Sequence, residues 1–482
     1  MNFAVLLPIL IPIISGFIVG LSKPAYNRRN TIVISTTIIN LFLVVYIVLF
    51  KNNTLFHMVK INELLNLYLM PDNIGKTFAI LVSALWIFTT FYSIDYMGKG
   101  DGLNKFFMFY LITEGVTLGI AFSGNLITLY LFYELLTLST FPLVIEKGSE
   151  EALRAGKKYL IYSFFGATMV LFGIILLFSQ TQNLSFVPGG VVGILVYDNK
   201  NLYLMVYLLL FLGFGVKAAL VPFHSWLPSA MVAPTPVSAL LHAVAVVKSG
   251  IFALGRMTYF VLGWRVIDFT GGNRYTLILV LLTILMGSFL AIHQENLKRR
   301  LAYSTISQLG YVMLALVIFE DSAYVGGFLH MLFHATVKIT LFFCVGAIMH
   351  YEKKTELSEI AGIGKRMPKT MISFSVASFC LIGIPPTNGF VSKWFLAIGG
   401  LDQGNYLIPI ILLLSAFFTA AYLIPVISTA FFKGDPSKEV EVSEPKNFML
   451  VPIILLAAIN IILGFFPNWL INTIQATANK LF

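Results

Sequence analysis

The sequence predicts an all-α polytopic membrane protein of about fourteen transmembrane helices, built as two inverted five-helix repeats with broken helices 7 and 12. Three observations carry this. Of the 482 residues 58% are hydrophobic and only 11% charged, well below the roughly 25% charged residues of soluble domains. The apolar residues fall into runs long enough to span a bilayer, about 20 residues each. Two of those runs carry proline breaks at matching places.

The expected spanning segments are 3–21, 31–50, 76–94, 105–122, 124–145, 156–178, 203–221, 234–262, 275–292, 301–319, 322–349, 371–401, 406–432 and 448–466. No gap between them is long enough to bury a separate soluble core. The stretch after Met1 reads as a first spanning helix rather than a cleaved signal. The chain divides into an N-terminal three-helix segment (1–104), a first repeat of helices 4–8 (105–262), a second repeat of helices 9–13 (275–432) and a C-terminal helix (448–482).

Orientation follows from the basic residues. Connections after the odd-numbered helices hold twenty Lys and Arg, and the other side holds six. Cytoplasmic loops collect Lys and Arg, so both termini are predicted outside, in the cell membrane. The same rule accounts for the net charge of +10 without a nucleic-acid partner. Six basic residues remain inside helices: Lys76, Lys217, Lys248, Arg256, Lys338 and Lys393. Lys76 and Arg256 lie near helix ends, where a long side chain can snorkel to the interface.

The other four cannot easily snorkel, and they come with further buried ionisable groups. Glu114, Glu134, His242, His330 and His334 also fall deep in apolar segments. One charge at the centre of a spanning helix costs about 2.5–3.5 kcal/mol. Six of them facing lipid would cost on the order of 15–20 kcal/mol, more than a typical net stability. They must face the bundle interior, pair, or line water. His330, His334 and Lys338 stand at i, i+4 and i+8, on one helix face. His242 and Lys248 are six apart and share a stripe only if their helix is distorted. Glu134 and Lys217 are candidates for an ion pair on nearby helices. That pair reads either as a lock between helices or as a proton-loading site, and the two histidines as relay or as interhelical hydrogen-bond glue. Glu114 has equal claims to structure and function. His224, just past Pro222, reads as a cap, an interface residue or a relay. Cys344 and Cys380 sit singly in apolar runs, with no pattern of metal or iron–sulfur ligation, so no cofactor and no metal is expected in this chain.

The first break lies in "FLGFGVKAALVPFHSWLP" (211–228), where Lys217 precedes Pro222. The second, "GIPPTNGFVSKWF", places Pro385 and Pro386 before Lys393. Interrupted helices at corresponding places in two halves of opposite topology point to an ion or substrate site near the midplane.

Several stretches together resemble a known family: "SGNLITLYLFYELLTLSTFPLV", "GFGVKAALVPFHSWLPSAMVAPTPVSALLHAVAVVKSG", "NLKRRLAYSTISQLGYVMLA", "HMLFHATVKITLFFCVGAI" and "GIPPTNGFVSKW". They are similar to the antiporter-like subunits of respiratory complex I, to the large subunits of Mrp-type sodium/proton antiporters and to those of membrane-bound hydrogenases. The resemblance covers helices 4 to 12. It implies that Glu134, Lys217, Lys248, His330, His334, Lys338 and Lys393 form a midplane polar axis that carries protons between half-channels. It also implies that the partners are antiporter-like subunits, small membrane subunits and a redox module. Any redox chemistry then resides in those partners. Many Mrp-like members have Asp where Asn125 stands, at the entrance to helix 5. The chain ends soon after helix 14, without the long lateral helix of the largest complex I subunit. Two other functions compete with ion translocation in a complex: a stand-alone transporter of a small solute, and a structural homologue without transport.

Overall fold

The structure, a computed structural model, describes residues 3–52, 54–60, 66–100, 102–433 and 442–482. Lys438, counted above with the loop after the thirteenth segment, lies outside these residues.

The helices follow in chain order. The first six are α1 (Leu7–Ser22), α2 (Tyr26–Phe50), α3 (Asn73–Met97), α4 (Leu103–Phe122), α5 (Leu126–Val144) and α6 (Glu150–Thr181). Around the first break stand α7 (Lys200–Lys217), α8 (Trp226–Ser229), α9 (Thr235–Ala243) and α10 (Val246–Arg256). There follow α11 (Trp264–Thr270), α12 (Gly272–Ile292), α13 (Leu297–Ile318), α14 (Asp321–Tyr351) and α15 (Ile363–Arg366). The last are α16 (Pro368–Ile382), α17 (Asn388–Asp402), α18 (Leu407–Phe432), α19 (Asn447–Phe465) and α20 (Asn468–Ala478). Polar side chains open several of them: Asp72, Asn125, Ser149, Asn199 and Asn296 accept from the N–H groups of Gly75, Thr128, Ala152, Leu202 and Arg299.

The chain is a multi-pass, nearly all-α membrane protein. Among the described residues twelve helices are long and apolar enough to cross a membrane, and α1 and α16 are apolar but shorter. Length and composition thus mark twelve spans where the sequence predicted fourteen. A short antiparallel hairpin was not expected: Phe56–Lys60 pairs with Asn66–Leu69, and Tyr68 O accepts from Gly124 N at the entrance to α5. The amphipathic α20 was not expected either.

The longest span without a lipid-facing stretch is α14, which packs against α9, α13, α16, α17 and α19. It carries the His330, His334 and Lys338 face into the centre of the bundle. The lipid-facing helices are identified by exposed apolar side chains: Phe42 and Leu49 on α2, Ile161 and Phe165 on α6, and Leu413 and Phe417 on α18.

Two predicted helices change shape. The seventh, expected over 203–221, stops at Lys217, five residues before Pro222. Ala219 turns into the left-handed region at φ 56°, its N–H bonds Val216 O, and Leu220 N–H bonds Gly215 O. This is a Schellman closure, so the chain leaves the helix before the proline acts. The eighth, expected as one helix over 234–262, is interrupted at Val244 and Ala245, where both N–H groups converge on Leu240 O. The break of the twelfth is as predicted: α16 ends at Ile382, Gly383 takes φ 88° and Ile384 N–H bonds Phe379 O. Beyond the turn, Gly389 lies against the backbone of the first half, where an added Cβ would fall 1.8 Å from Cys380 O.

Gly389→Ala should force the two halves of this broken helix apart. We expect a loss of about 1–3 kcal/mol, read as a lower midpoint in thermal unfolding of the purified protein.

Candidate functional site

Lys217 is the last residue of α7, at the negative end of the helix dipole, where a cation is favoured. Its ammonium group is 1% exposed and lies 3.6 Å from Glu134 Oε1 on α5. It also donates to Tyr133 O and sits 3.4 Å from the Tyr133 ring centroid, a cation–π contact. Glu134 differs from the rest of the set in being 22% exposed. It stands between the exposed side chains Leu131, Leu135 and Leu138 on the outer face of α5. The turn after Lys217 is held by Trp226, whose indole N–H bonds Val216 O at 2.8 Å, and by Val221 N–H on Thr283 Oγ1 at 3.1 Å. Pro222 is exposed in that turn, and His224 is half-buried two residues on.

Helix α10 packs on this helix end through Gly250, where an added Cβ would lie 2.7 Å from Ala218 N and 3.2 Å from Lys217 Cβ. Two residues away, Lys248 is fully buried and its Nζ is 2.5 Å from His334 Nδ1. The interruption at Val244–Ala245 lies between His242 and Lys248, which is the distortion the six-residue spacing required. His242 faces Phe342 at 4.9 Å between centroids, and its ring nitrogens have no hydrogen-bond partner among the described residues.

The His334 and His330 rings are 6.0 Å apart on α14. His330 joins Ser392 on α17 at 2.9 Å and Gln308 on α13 at 3.1 Å. The Tyr311 ring then touches both sides of the next step: it stacks on His330 at 5.2 Å and lies 5.1 Å from Lys393 Nζ. Lys393, on the second half of the broken helix, reaches back to the C-terminus of the first half. It donates to Leu381 O at 2.7 Å and Ile382 O at 2.9 Å. Gly383 leaves room for its stem, since a Cβ there would be 3.0 Å from Lys393 Cδ. Lys338 shares the α14 face but turns to α13, donating to Leu301 O at 3.0 Å and to Ser304 Oγ.

The structure therefore joins Glu134 to Lys217 and Lys248 to His334, and it places His330, Ser392, Gln308, Tyr311 and Lys393 in succession. It leaves Glu114 apart, fully buried and bonded to Asn40 Nδ2 at 2.8 Å on α2. Groups within hydrogen-bonding distance exchange protons without crossing hydrocarbon. Such links stand at Lys248–His334, His330–Ser392 and His330–Gln308; among the described residues no hydrogen bond joins Lys217 to Lys248, His334 to His330 or Tyr311 to Lys393.

Sequence reasoning passed over Ser304 and Gln308 and misplaced Lys298 and Arg256. Ser304 and Gln308 stand at i and i+4 in "LAYSTISQLGY", a polar stripe in an apolar helix, which was a readable signal. Lys298 was counted as a loop cation but is buried and donates to Ala233 O at 2.6 Å. Asn125 caps α5 through Thr128 N–H at 2.9 Å and donates to Asn66 O at 2.7 Å. Arg256 does not snorkel: it is 1% exposed, enclosed by Phe186, Phe252 and Phe260, and forked onto Asp72 with Nη2–Oδ1 at 2.5 Å. The fork engages both Nη groups, while Nε is buried without a hydrogen-bond partner among the described residues.

The chain is similar to known proteins in sequence and in fold. The family described as NADH:quinone oxidoreductase/Mrp antiporter, TM, matches residues 123–419. Over 446 residues the chain is 34% identical to "Na(+)/H(+) antiporter subunit A1" of Staphylococcus aureus (strain JH9), covering 86% of this chain and 54% of that protein. The chain thus spans about half the length of the curated relatives it matches. In fold it is similar to a chain of the membrane-bound sulfane sulfur reductase, an archaeal respiratory membrane complex, with TM-score 0.89 and 24% identity over 99% of this chain and 97% of that one. It is also similar to a chain of the Mrp complex from Dietzia sp. DQ12-45-1b, with TM-score 0.88 and 19% identity over 100% and 98%. A chain of respiratory complex I from Thermus thermophilus gives TM-score 0.79 and 20% identity over 97% and 98%.

The Arg256–Asp72 fork gives a stability test. Asp72→Leu alone strands a buried guanidinium and should cost about 3–5 kcal/mol, while Asp72→Leu with Arg256→Met should recover much of that loss. Denaturation of the single and double variants checks the coupling.

Proposed function

Because the chain belongs to the NADH:quinone oxidoreductase/Mrp antiporter transmembrane family, we propose that it translocates protons, sodium ions or both within a multisubunit membrane complex. The observation that carries this is the buried row from Glu134 and Lys217 through Lys248, His334 and His330 to Lys393. Lys338 and His242 flank it, with Glu114 and His224 as auxiliary groups. In this reading Lys217 exchanges its proton between Glu134 and the Lys248 side, and the turn that holds Pro222 lets its helix end move. The row binds no cofactor. The driving reaction is either redox chemistry in other subunits or exchange of sodium for protons.

The reading extends to architecture. All fourteen segments cross the cell membrane, both termini lie outside, and helices 4–8 and 9–13 are inverted repeats flanked by 1–104 and 448–482. The matching closures at the two breaks, Leu220 N–H on Gly215 O and Ile384 N–H on Phe379 O, support the repeat.

Lys217→Ala and Glu134→Ala should each abolish ion-coupled proton movement while leaving the assembled complex intact. A pH-sensitive dye in inverted membrane vesicles reports the first, and copurification of the subunits reports the second. Wild-type rates in both variants would overturn the proposal. Pro222→Ala should slow turnover without unfolding the chain, measured in the same vesicles.

A further inference from the structure

A crevice of about 550 Å³ runs between α2, α3, α14, α19 and α20; on α14 it is lined by Leu332 and Thr336, which alternate with His330, His334 and Lys338 of the row. That volume lies in the roughly 300–1,000 Å³ range of sites for small molecules. Its walls are mainly apolar, with Leu49, Ile80, Leu332 and Leu463 among them. One charged residue lines it, Lys76.

Lys76 was expected to snorkel, yet it is buried beside this crevice. Its ammonium group meets only neutral acceptors, Val48 O at 3.1 Å and Asn52 Oδ1 at 3.3 Å. Among the described residues it forms no ion pair, and Asp72, one turn earlier, is held by Arg256. Lys76 also stands in the first turns of α3, at the positive end of the helix dipole. Asp72 caps that helix end and is itself forked by Arg256, so Lys76 is the cation that faces one end of an apolar slot. At the rim Trp469 is 61% exposed, as suits an indole at headgroup level, and Asn52 and Asn73 add polar groups.

We propose that this crevice binds an anionic phospholipid, its phosphate on Lys76 and one acyl chain along Leu332 and Leu463. The charge selects an anionic headgroup, and the length of apolar wall beyond it selects a lipid over free phosphate. A zwitterionic lipid of the same chains offers the slot the same hydrocarbon but no net negative charge to offset the ammonium group.

The test is native mass spectrometry of the purified full chain, titrated with phosphatidylglycerol or with phosphatidylcholine of matched chains. Wild type should retain phosphatidylglycerol at least about tenfold more tightly, as one charge-assisted contact warrants. Lys76→Gln should remove that preference and Lys76→Arg should keep it. Thr473→Trp, on an exposed crevice-lining position of α20, should reduce retention of both lipids; it serves as the test if Lys76→Gln does not fold. Equal retention of the two lipids by wild type would overturn the proposal. So would unchanged binding in both Lys76→Gln and Thr473→Trp. Loss of bound lipid when other subunits assemble would assign the crevice to a partner helix instead.

Discussion

The structure depends on meeting buried ammonium groups where there is no bulk water. Lys217, Lys248, Lys298, Lys338 and Lys393 are all buried. Among the described residues only Lys217 has a carboxylate within 4 Å. The others rest on neutral acceptors: an imidazole for Lys248, and main-chain carbonyls for Lys298, Lys338 and Lys393. A carbonyl inside an unbroken helix is already engaged, so acceptors of this kind become available mainly at helix ends. Lys393 shows the consequence, since the carbonyls it reaches exist as free acceptors because α16 stops at Ile382. The second interruption is therefore part of how Lys393 is held, whereas Lys217 and Lys338 share carbonyls inside α5 and α13.

The two main breaks use one backbone device with different residues. At the first, Ala219 takes the left-handed conformation; at the second, Gly383 does. Alanine pays a steric cost there that glycine does not. The glycine has a second reason to be small, because the Lys393 stem passes against it. At the first break the lysine precedes the turn and points away along α5, so no such crowding arises.

Much of this was legible in the sequence because a membrane span is a long apolar run and an ionisable residue inside it stands out. The positions of Glu134, Lys217, Lys248, His330, His334 and Lys393 needed no more than that contrast. What was not legible depends on backbone geometry or on distance in sequence. Pro222 drew attention as the breaker, but the Schellman closure around Ala219 ends the helix earlier, and alanine carries no sign of it. The interruption at Val244–Ala245 lies in "HAVAVVK", with neither proline nor glycine to mark it. Arg256 and Asp72 are 184 residues apart, and hydropathy alone placed the arginine at a helix end. Lys298 sits at a helix start, where a basic residue looks like a loop cation until the neighbouring turn closes over it.

Glu134 has a consequence for how one chain behaves in different surroundings. Every other member of the row is enclosed by its own protein, and the Glu134 side chain is partly exposed on the flank of α5 among leucines, with Oε1 buried towards Lys217. A charge at such an edge is screened, or left unscreened, by whatever lies against it: hydrocarbon, or a polar surface of another chain. The potential at the first group of the row is then a boundary condition set from outside, and each group after it inherits the change.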